Sequence, residues 1–133
     1  MTVFVDTSAW IEFLRDTGST VCNTVDDLLG SDLAICDAIT MEVLAGARDE
    51  RHLGQLRGLL ARASLVAIVA ADYDDAAALY RICRCNGETV RKLIDCLIAA
   101  VAIRSNAMIL HADGDFAALS RHTSLVAHPR SSP

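Results

Sequence analysis

The amino-acid sequence of 133 residues lacks the features that mark membrane, secreted and multidomain proteins. No apolar run approaches the roughly 18 residues of a membrane-spanning helix, so no membrane association is expected. No positively charged region precedes the first apolar residues, which predicts a cytoplasmic protein without a signal or transit peptide. No repeat or linker interrupts the chain, so we expect one domain at residues 1–128 and a disordered tail at 129–133.

The sequence is also poor in basic residues, and its cysteines are not spaced as zinc ligands. Lysine and arginine number 12 against 17 aspartates and glutamates, and the net charge of −5 argues against a broad basic surface for nucleic acids. RNA is not excluded, because eleven of the twelve basic residues are arginine, the better bidentate partner of phosphate. The five cysteines favour reduced, buried thiols over a metal site or disulfides.

Short apolar runs alternate with amphipathic stretches along the chain. The runs that are typical of buried strands lie at residues 2–5, 33–36, 65–69, 108–110 and 125–126. The stretches between them carry apolar residues at helical spacing, and the stretch at 94–103 is apolar except for Asp95, which predicts a central helix. This alternation indicates an α/β fold with three α/β/α layers and a mainly parallel central sheet of four to five strands.

Acidic residues stand where the predicted strands end. Asp6 directly follows the first strand, and Asp113 and Asp115 follow the fourth. Asp95 lies in the first turn of the central helix, and Glu42 lies on the rim of the helix after the second strand. Because the carboxyl ends of parallel strands share one edge of the sheet, where open α/β folds bind ligands, we expect all five carboxylates to face one cleft.

Five acids in one cleft need a source of positive charge. Two carboxylates about 5 Å apart repel each other by roughly 3 kcal/mol at an effective dielectric constant near 20. Either basic side chains or a divalent cation must offset this repulsion. A set of carboxylate oxygens suits Mg²⁺ or Mn²⁺ rather than zinc, so the predicted cofactor is Mg²⁺, for which Mn²⁺ can substitute.

Three further residues are candidates for the cleft. Thr7 and Ser8 follow Asp6 and are expected to cap the first helix, or to hydrogen-bond the carboxylates or a phosphate. Arg91 precedes Asp95 by four residues and is expected to pair with that acid or with a phosphate, although a plain surface arginine fits the sequence equally well.

Four short motifs, each matching a position of the predicted site, carry a resemblance to a known family. They are Val5-Asp6-Thr7-Ser8, Thr40-Met41-Glu42-Val43-Leu44-Ala45-Gly46, Asp95-Cys96-Leu97-Ile98-Ala99-Ala100 and Asp113-Gly114-Asp115-Phe116. Each motif is weakly specific alone, but together they resemble the signature of PIN-domain ribonucleases over about residues 1–126. The length of the chain and the segment Gly87-Glu88-Thr89-Val90-Arg91 resemble more narrowly the VapC toxins of type II toxin–antitoxin systems.

The resemblance implies a Mg²⁺- or Mn²⁺-dependent endoribonuclease that hydrolyses tRNA, rRNA or mRNA by metal-activated water. It also implies a homodimer, and a VapB-type antitoxin whose carboxy-terminal segment covers the acidic cleft. The acids that match the family's metal-binding and catalytic residues are Asp6, Glu42, Asp95 and Asp113: Asp6 and Asp113 as metal ligands, Glu42 and Asp95 either as ligands or as groups that orient the water. Asp115 is expected to act beside them, at a second metal or through the ligands. His111 and Gly114 stand where relatives often carry other residues, which bears on substrate choice and leaves the acids intact.

Other functions fit the sequence less well. A receiver-like signalling module would carry paired acids after its first strand and a late lysine, whereas Asp6 stands alone and the only lysine is Lys92. A phosphatase of the haloacid dehalogenase type needs an aspartate where Ser8 stands. The four histidines are scattered, so water rather than a 2′-hydroxyl is the predicted nucleophile. A degenerate PIN domain that binds RNA or a protein without catalysis is the alternative, and the complete acid set speaks against it.

Overall fold

A five-stranded, all-parallel sheet forms the centre of the computed structural model, which describes residues 1–133. Its strands are β1 (Val3–Val5), β2 (Leu33–Ile35), β3 (Ser64–Leu65), β4 (Met108–Leu110) and β5 (Val126–Ala127). They lie in the order β3-β2-β1-β4-β5, and every neighbouring pair is parallel. The predicted α/β class and parallel sheet are confirmed.

Seven helices flank the sheet. They are α1 (Thr7–Leu14), α2 (Thr20–Leu28), α3 (Asp37–Ala45), α4 (Glu50–Leu60), α5 (Ala70–Cys85), α6 (Leu93–Arg104) and α7 (Gly114–His122). Helix α1 packs on α2 and α3, and α3 packs on α4, whereas α5, α6 and α7 pack on one another. With the right-handed crossovers that parallel sheets almost always have, this strand order puts the two groups of helices on opposite faces of the sheet. None of the helices combines the length and apolarity that a bilayer crossing requires.

The strand order creates a crevice between β1 and β4. The chain first extends the sheet from β1 through β2 to β3, and then returns to add β4 and β5 on the other side of β1. Val3 of β1 therefore pairs with Leu33 on one side and with Met108 on the other. Parallel α/β sheets bind ligands at the carboxyl end of such a reversal. Asp6 follows β1 and Asp113 follows β4, so the topology brings both acids to this crevice.

The apolar core lies between the sheet and the helices. Phe4 of β1, Trp10 of α1 and Phe116 of α7 are fully buried. Helix α6 is buried from Asp95 to Ala102 except at Leu97, which confirms the predicted central helix. All five cysteines are free, and four of them are buried. Gly87 follows α5 with a φ of 83°, a left-handed conformation that glycine adopts readily.

One segment differs from the sequence-based expectation. The predicted strand at 65–69 is a two-residue edge strand, Ser64–Leu65, because the chain leaves the sheet after Val66 to begin α5 at Ala70. The disorder predicted for residues 129–133 stays a prediction; in the structure these residues lie along the end of β4. The hydroxyl of Ser131 accepts a hydrogen bond from the N–H of His111 (3.1 Å), and the N–H of Ser132 donates to the His111 carbonyl (2.9 Å).

Candidate active site

Five carboxylates lie together at the carboxyl edge of the sheet. Oxygens of Asp6, Glu42 and Asp95 lie within 4.8 Å of one another, and so do oxygens of Asp95, Asp113 and Asp115. Asp95 belongs to both groups and joins them into one set, which we call the acidic cluster. The structure therefore brings together all five acids that the positions of strand ends and helix starts predict.

Asp6 serves the fold with one oxygen and leaves the other without a partner. As the N-cap of α1, its Oδ2 accepts hydrogen bonds from the N–H (2.9 Å) and the hydroxyl (2.5 Å) of Ser8. Its Oδ1 is buried and has no hydrogen-bond partner. Because the side chain is so deeply buried, the pKa of Asp6 is raised to about 6. Asp6 is thus both the cap of α1 and a member of the acidic cluster.

The prediction that Thr7 or Ser8 caps α1 is wrong, because Asp6 occupies the cap position. The hydroxyls of Thr7 and Ser8 instead donate hydrogen bonds to carboxylates, which is the alternative role that the sequence predicts for them. Thr7 Oγ1 donates to Glu42 Oε1 (2.8 Å), and Ser8 Oγ donates to Asp6 while it accepts the N–H of Ala112 (2.9 Å). These bonds orient two acids of the cluster and connect α1 to α3 and to the segment after β4.

Asp95 is the least satisfied acid of the cluster. It is 1% exposed in the first turn of α6, and its Oδ2 has no hydrogen-bond partner. Burial, reinforced by the neighbouring Asp115 carboxyl, raises the pKa of Asp95 to about 8. A buried polar atom without a partner is destabilising, so this oxygen indicates a ligand that is positively charged or donates a hydrogen bond.

Asp113 and Asp115 are, by contrast, well supplied with donors. Asp113 caps α7, and its Oδ1 accepts from the N–H of Asp115 (2.9 Å) and from Arg91 Nη2 (3.0 Å). Asp115 accepts the backbone N–H groups of Arg91 and Lys92, each at 3.0 Å. Burial alone would raise the pKa of both carboxyls, but these hydrogen bonds, with that of the Lys92 ammonium to Asp113, lower both pKa values below the ordinary range.

Two basic residues lie within the acidic cluster. Arg91 pairs with Asp113 and Asp115, so the predicted pair of Arg91 with Asp95 is wrong. Asp115 accepts the backbone N–H of Arg91, which keeps the Arg91 side chain beside Asp113 and Asp115. Lys92 donates from Nζ to Asp113 Oδ2 (2.8 Å) and lies 3.6 Å from Asp95 Oδ2. The reading from sequence did not assign Lys92 to the site. Its signal is its position three residues before Asp95, which brings the two side chains to one side of a helix start.

His111 is a buried residue that contacts the segment carrying Asp113. It is 2% exposed, its ring packs on Phe116 with 5.6 Å between ring centroids, and its Nδ1 accepts the N–H of Asp113 (3.3 Å). Burial lowers the pKa of His111, so the ring is neutral at pH 7. Its role is to hold the segment that carries Asp113.

The acidic cluster fits a divalent cation that prefers oxygen ligands. Asp6 Oδ1 and Asp95 Oδ2 are the two carboxylate oxygens of the protein that are buried without a hydrogen-bond partner, and both residues belong to the group that includes Glu42. A hard cation such as Mg²⁺ or Mn²⁺ binds such oxygens. The basic side chains offset only part of the negative charge, since five acids face Arg91 and Lys92 alone.

Comparisons with known proteins agree with this geometry. Residues 3–122 match the family model described as PIN domain. Ribonuclease VapC11 from Mycobacterium tuberculosis and VapC ribonuclease Mb1587 from Mycobacterium bovis are each 44% identical to this chain over 129 residues, which cover 94% of it and 96% of each relative. The fold is similar to that in the crystal structure of VapBC2 from Rickettsia felis bound to a DNA fragment from their promoter, with a TM-score of 0.77 and 20% identity over 96% of this chain and 98% of the other.

Proposed function

The chain belongs to the PIN-domain family, among its VapC ribonucleases, and on this premise we propose that it is the toxin of a type II toxin–antitoxin system and acts as an endoribonuclease. The observation that carries the proposal is the pair of buried carboxylate oxygens, Asp6 Oδ1 and Asp95 Oδ2, that have no donor. Native proteins rarely leave such atoms unsatisfied, and a bound cation would satisfy both at once.

The proposed cation is Mg²⁺, for which Mn²⁺ can substitute. The residues that would hold it are Asp6, Glu42, Asp95 and Asp113, while Asp115 supports the set from the side of Arg91 and Lys92. A divalent cation bound there supplies positive charge beside a phosphodiester and lowers the pKa of a water molecule.

The side chains of this protein prepare the reaction by holding the acids in place. Ser8 fixes Asp6, and Thr7 fixes Glu42. Glu42 is the partly exposed acid of the first group, so we assign it the task of accepting the proton of the attacking water. Groups that are oriented before the substrate binds need no reorganisation during the reaction, and this preorganisation is a major source of rate enhancement. A domain that only bound RNA would not need this arrangement.

The partners follow from the same premise. The substrate is a cellular RNA, the protein acts in the cytoplasm as a homodimer, and a VapB-type antitoxin inhibits it. Free activity would degrade the RNA of its own host, so an inhibitor is required. The antitoxin gene is expected next to the gene for this chain. Its product should co-purify with the chain and suppress RNA cleavage.

Cleavage of total RNA, read by sequencing of the new 5′ and 3′ ends, tests the activity. We expect cleavage at defined sites with Mg²⁺ or Mn²⁺ and none with a chelator. Asp6→Asn should abolish it, whereas Asp74→Asn, a change of an exposed aspartate on α5, should leave it unchanged. Equal cleavage by wild type and Asp6→Asn would contradict the site assignment. A 2′,3′-cyclic phosphate as the main product would exclude water as the nucleophile.

A further inference from the structure

Lys92 lies between two acids that belong to the proposed metal centre. Its Nζ is 2.8 Å from Asp113 Oδ2 and 3.6 Å from Asp95 Oδ2. The second distance exceeds that of a hydrogen bond, and Asp95 Oδ2 accordingly has no hydrogen-bond partner. The ammonium therefore offsets the charge of Asp113 and lies beside Asp95, while it leaves the buried oxygen of Asp95 without a donor.

We propose that Lys92 is a built-in counter-ion of the acidic cluster, which a divalent cation displaces when it binds Asp95 and Asp113. This inference rests on the metal site of the proposed function and adds a residue that is not one of its ligands. In this role Lys92 stabilises the metal-free protein and weakens its affinity for the cation. Its head group leaves the cluster when the cation enters.

The attachment of Lys92 allows this exchange without a change of fold. Its backbone N–H donates to Asp115 Oδ2 (3.0 Å), and the neighbouring N–H of Arg91 donates to Asp115 Oδ1 (3.0 Å). The main chain before α6 is therefore anchored. The side chain is 50% exposed and carries its charge on a flexible four-carbon stem, so the ammonium can rotate into water.

The ammonium and a divalent cation compete for the same oxygens. Two positive charges held a few ångströms apart repel each other strongly, so both cannot lie beside Asp95 and Asp113. The binding free energy of the cation thus includes the loss of the Lys92 contacts, which is a negative coupling between the two. Arg91 differs from Lys92 in the oxygens that it contacts. Its guanidinium lies on the Oδ1 atoms of Asp113 and Asp115, and its side chain is 72% exposed.

Calorimetric titration of the full chain with Mn²⁺ alone tests the proposal. Lys92→Met keeps the apolar stem and removes the charge, and we expect it to bind Mn²⁺ roughly tenfold more tightly than wild type. Arg121→Met is the matched control, because it removes one positive charge from a pair with Glu88 outside the cluster. It should leave the Kd for Mn²⁺ unchanged. Lys92→Arg, which keeps the charge, should bind Mn²⁺ like wild type.

Thermal unfolding gives a second readout that does not depend on activity. In a chelator, Lys92→Met should melt at a lower temperature than wild type, because the acids lose a counter-ion. Addition of Mn²⁺ should raise the melting temperature of Lys92→Met more than that of wild type. Lys92→Gln offers the same test if the methionine variant does not fold.

Three results would overturn the proposal. Mn²⁺ binding by Lys92→Met that is unchanged or weaker, with normal binding by wild type, would refute the exchange and leave the metal site standing. Tight binding by Lys92→Arg would show that the charge is not the cause. No Mn²⁺ binding by wild type would remove the metal site, and with it this role of Lys92.

Discussion

A deeply buried aspartate lies near a basic residue at each end of helix α6, but only one of the two aspartates has all its oxygens hydrogen-bonded. The first is Asp95, in the first turn of α6 near Lys92, and the second is Asp72 of α5, beside Arg104. At the last residue, Arg104 donates from Nε and Nη2 to the two oxygens of Asp72 (2.8 and 3.0 Å), and the N–H of Val69 donates to Asp72 as well (2.9 Å). In the first turn, Asp95 is equally buried, but its Oδ2 has no hydrogen-bond partner.

The protonation of the two aspartates differs accordingly. The hydrogen bonds from Arg104 lower the pKa of Asp72, whereas burial raises the pKa of Asp95 to about 8. A planar guanidinium matches both oxygens of a carboxylate, and a single ammonium does not. About 14 Å of helix, at 1.5 Å per residue, separates Asp95 from Arg104, the partner of Asp72. We infer that the pair at the last residue serves the fold and that Asp95 serves a ligand.

Replacement of the unsatisfied acid should have the largest effect on activity. Asp95→Asn removes a charged ligand of the proposed cation, so we expect the rate of RNA cleavage to fall on the order of a thousandfold, which is about 4 kcal/mol of transition-state stabilisation. Mn²⁺ binding should be lost as well. In a chelator the variant should melt at or above the temperature of wild type, because the folded state no longer buries a carboxyl that has no hydrogen-bond donor. A large loss of metal-free stability would contradict the contrast drawn above.

Replacement of the base at the other end should affect stability instead. Arg104→Met leaves Asp72 buried without its ion pair, and we expect the free energy of unfolding to fall by about 2 kcal/mol, since part of the Arg104 side chain faces solvent. Urea unfolding measures this. Mn²⁺ binding by the folded variant should be normal. The double variant with Asp72→Asn should recover part of the stability, because the amide oxygen still accepts from Val69.

The pH dependence of the free energy of unfolding should also distinguish the acids at the two ends of α6. Asp6 and Asp95 have pKa values of about 6 and 8, above the ordinary value of 3.8, so the folded metal-free protein holds protons that the unfolded chain releases. The stability from these groups is present below pH 4 and is lost as the pH rises through 6 and 8. Asp72, whose pKa is lowered, loses its contribution as the pH falls below about 4.

Urea unfolding in a chelator between pH 5 and 8.5 measures the loss of stability that is expected from Asp6 and Asp95. Asp95→Asn should flatten the decline of stability. Saturating Mn²⁺ should remove it, because the cation binds the deprotonated carboxylates. A metal-free stability that rises over this pH range would contradict the raised pKa values.

Local patterns along the chain predict most of the fold. Strand β4 was predicted at its observed bounds, 108–110, and the central helix within one residue at each end, because period and apolarity depend on neighbouring residues. The short length of β3 was missed, since a strand at the edge of a sheet ends where the next helix must begin. The five acids of the cluster were predicted because parallel strands bring their carboxyl ends to one edge.

The sequence by itself therefore determined the succession of strands and helices along the chain. It also determined which acids lie at the edge of the sheet. Only the tertiary structure decided which oxygen meets which donor. The hydroxyl of Ser8 binds the N–H of Ala112, 104 residues later, and Lys92 reaches Asp113 across 21 residues. Such bonds depend on how packed elements are placed to within a fraction of an ångström, which no local spacing encodes. The same placement left Asp6 and Asp95 each with one buried oxygen unpaired.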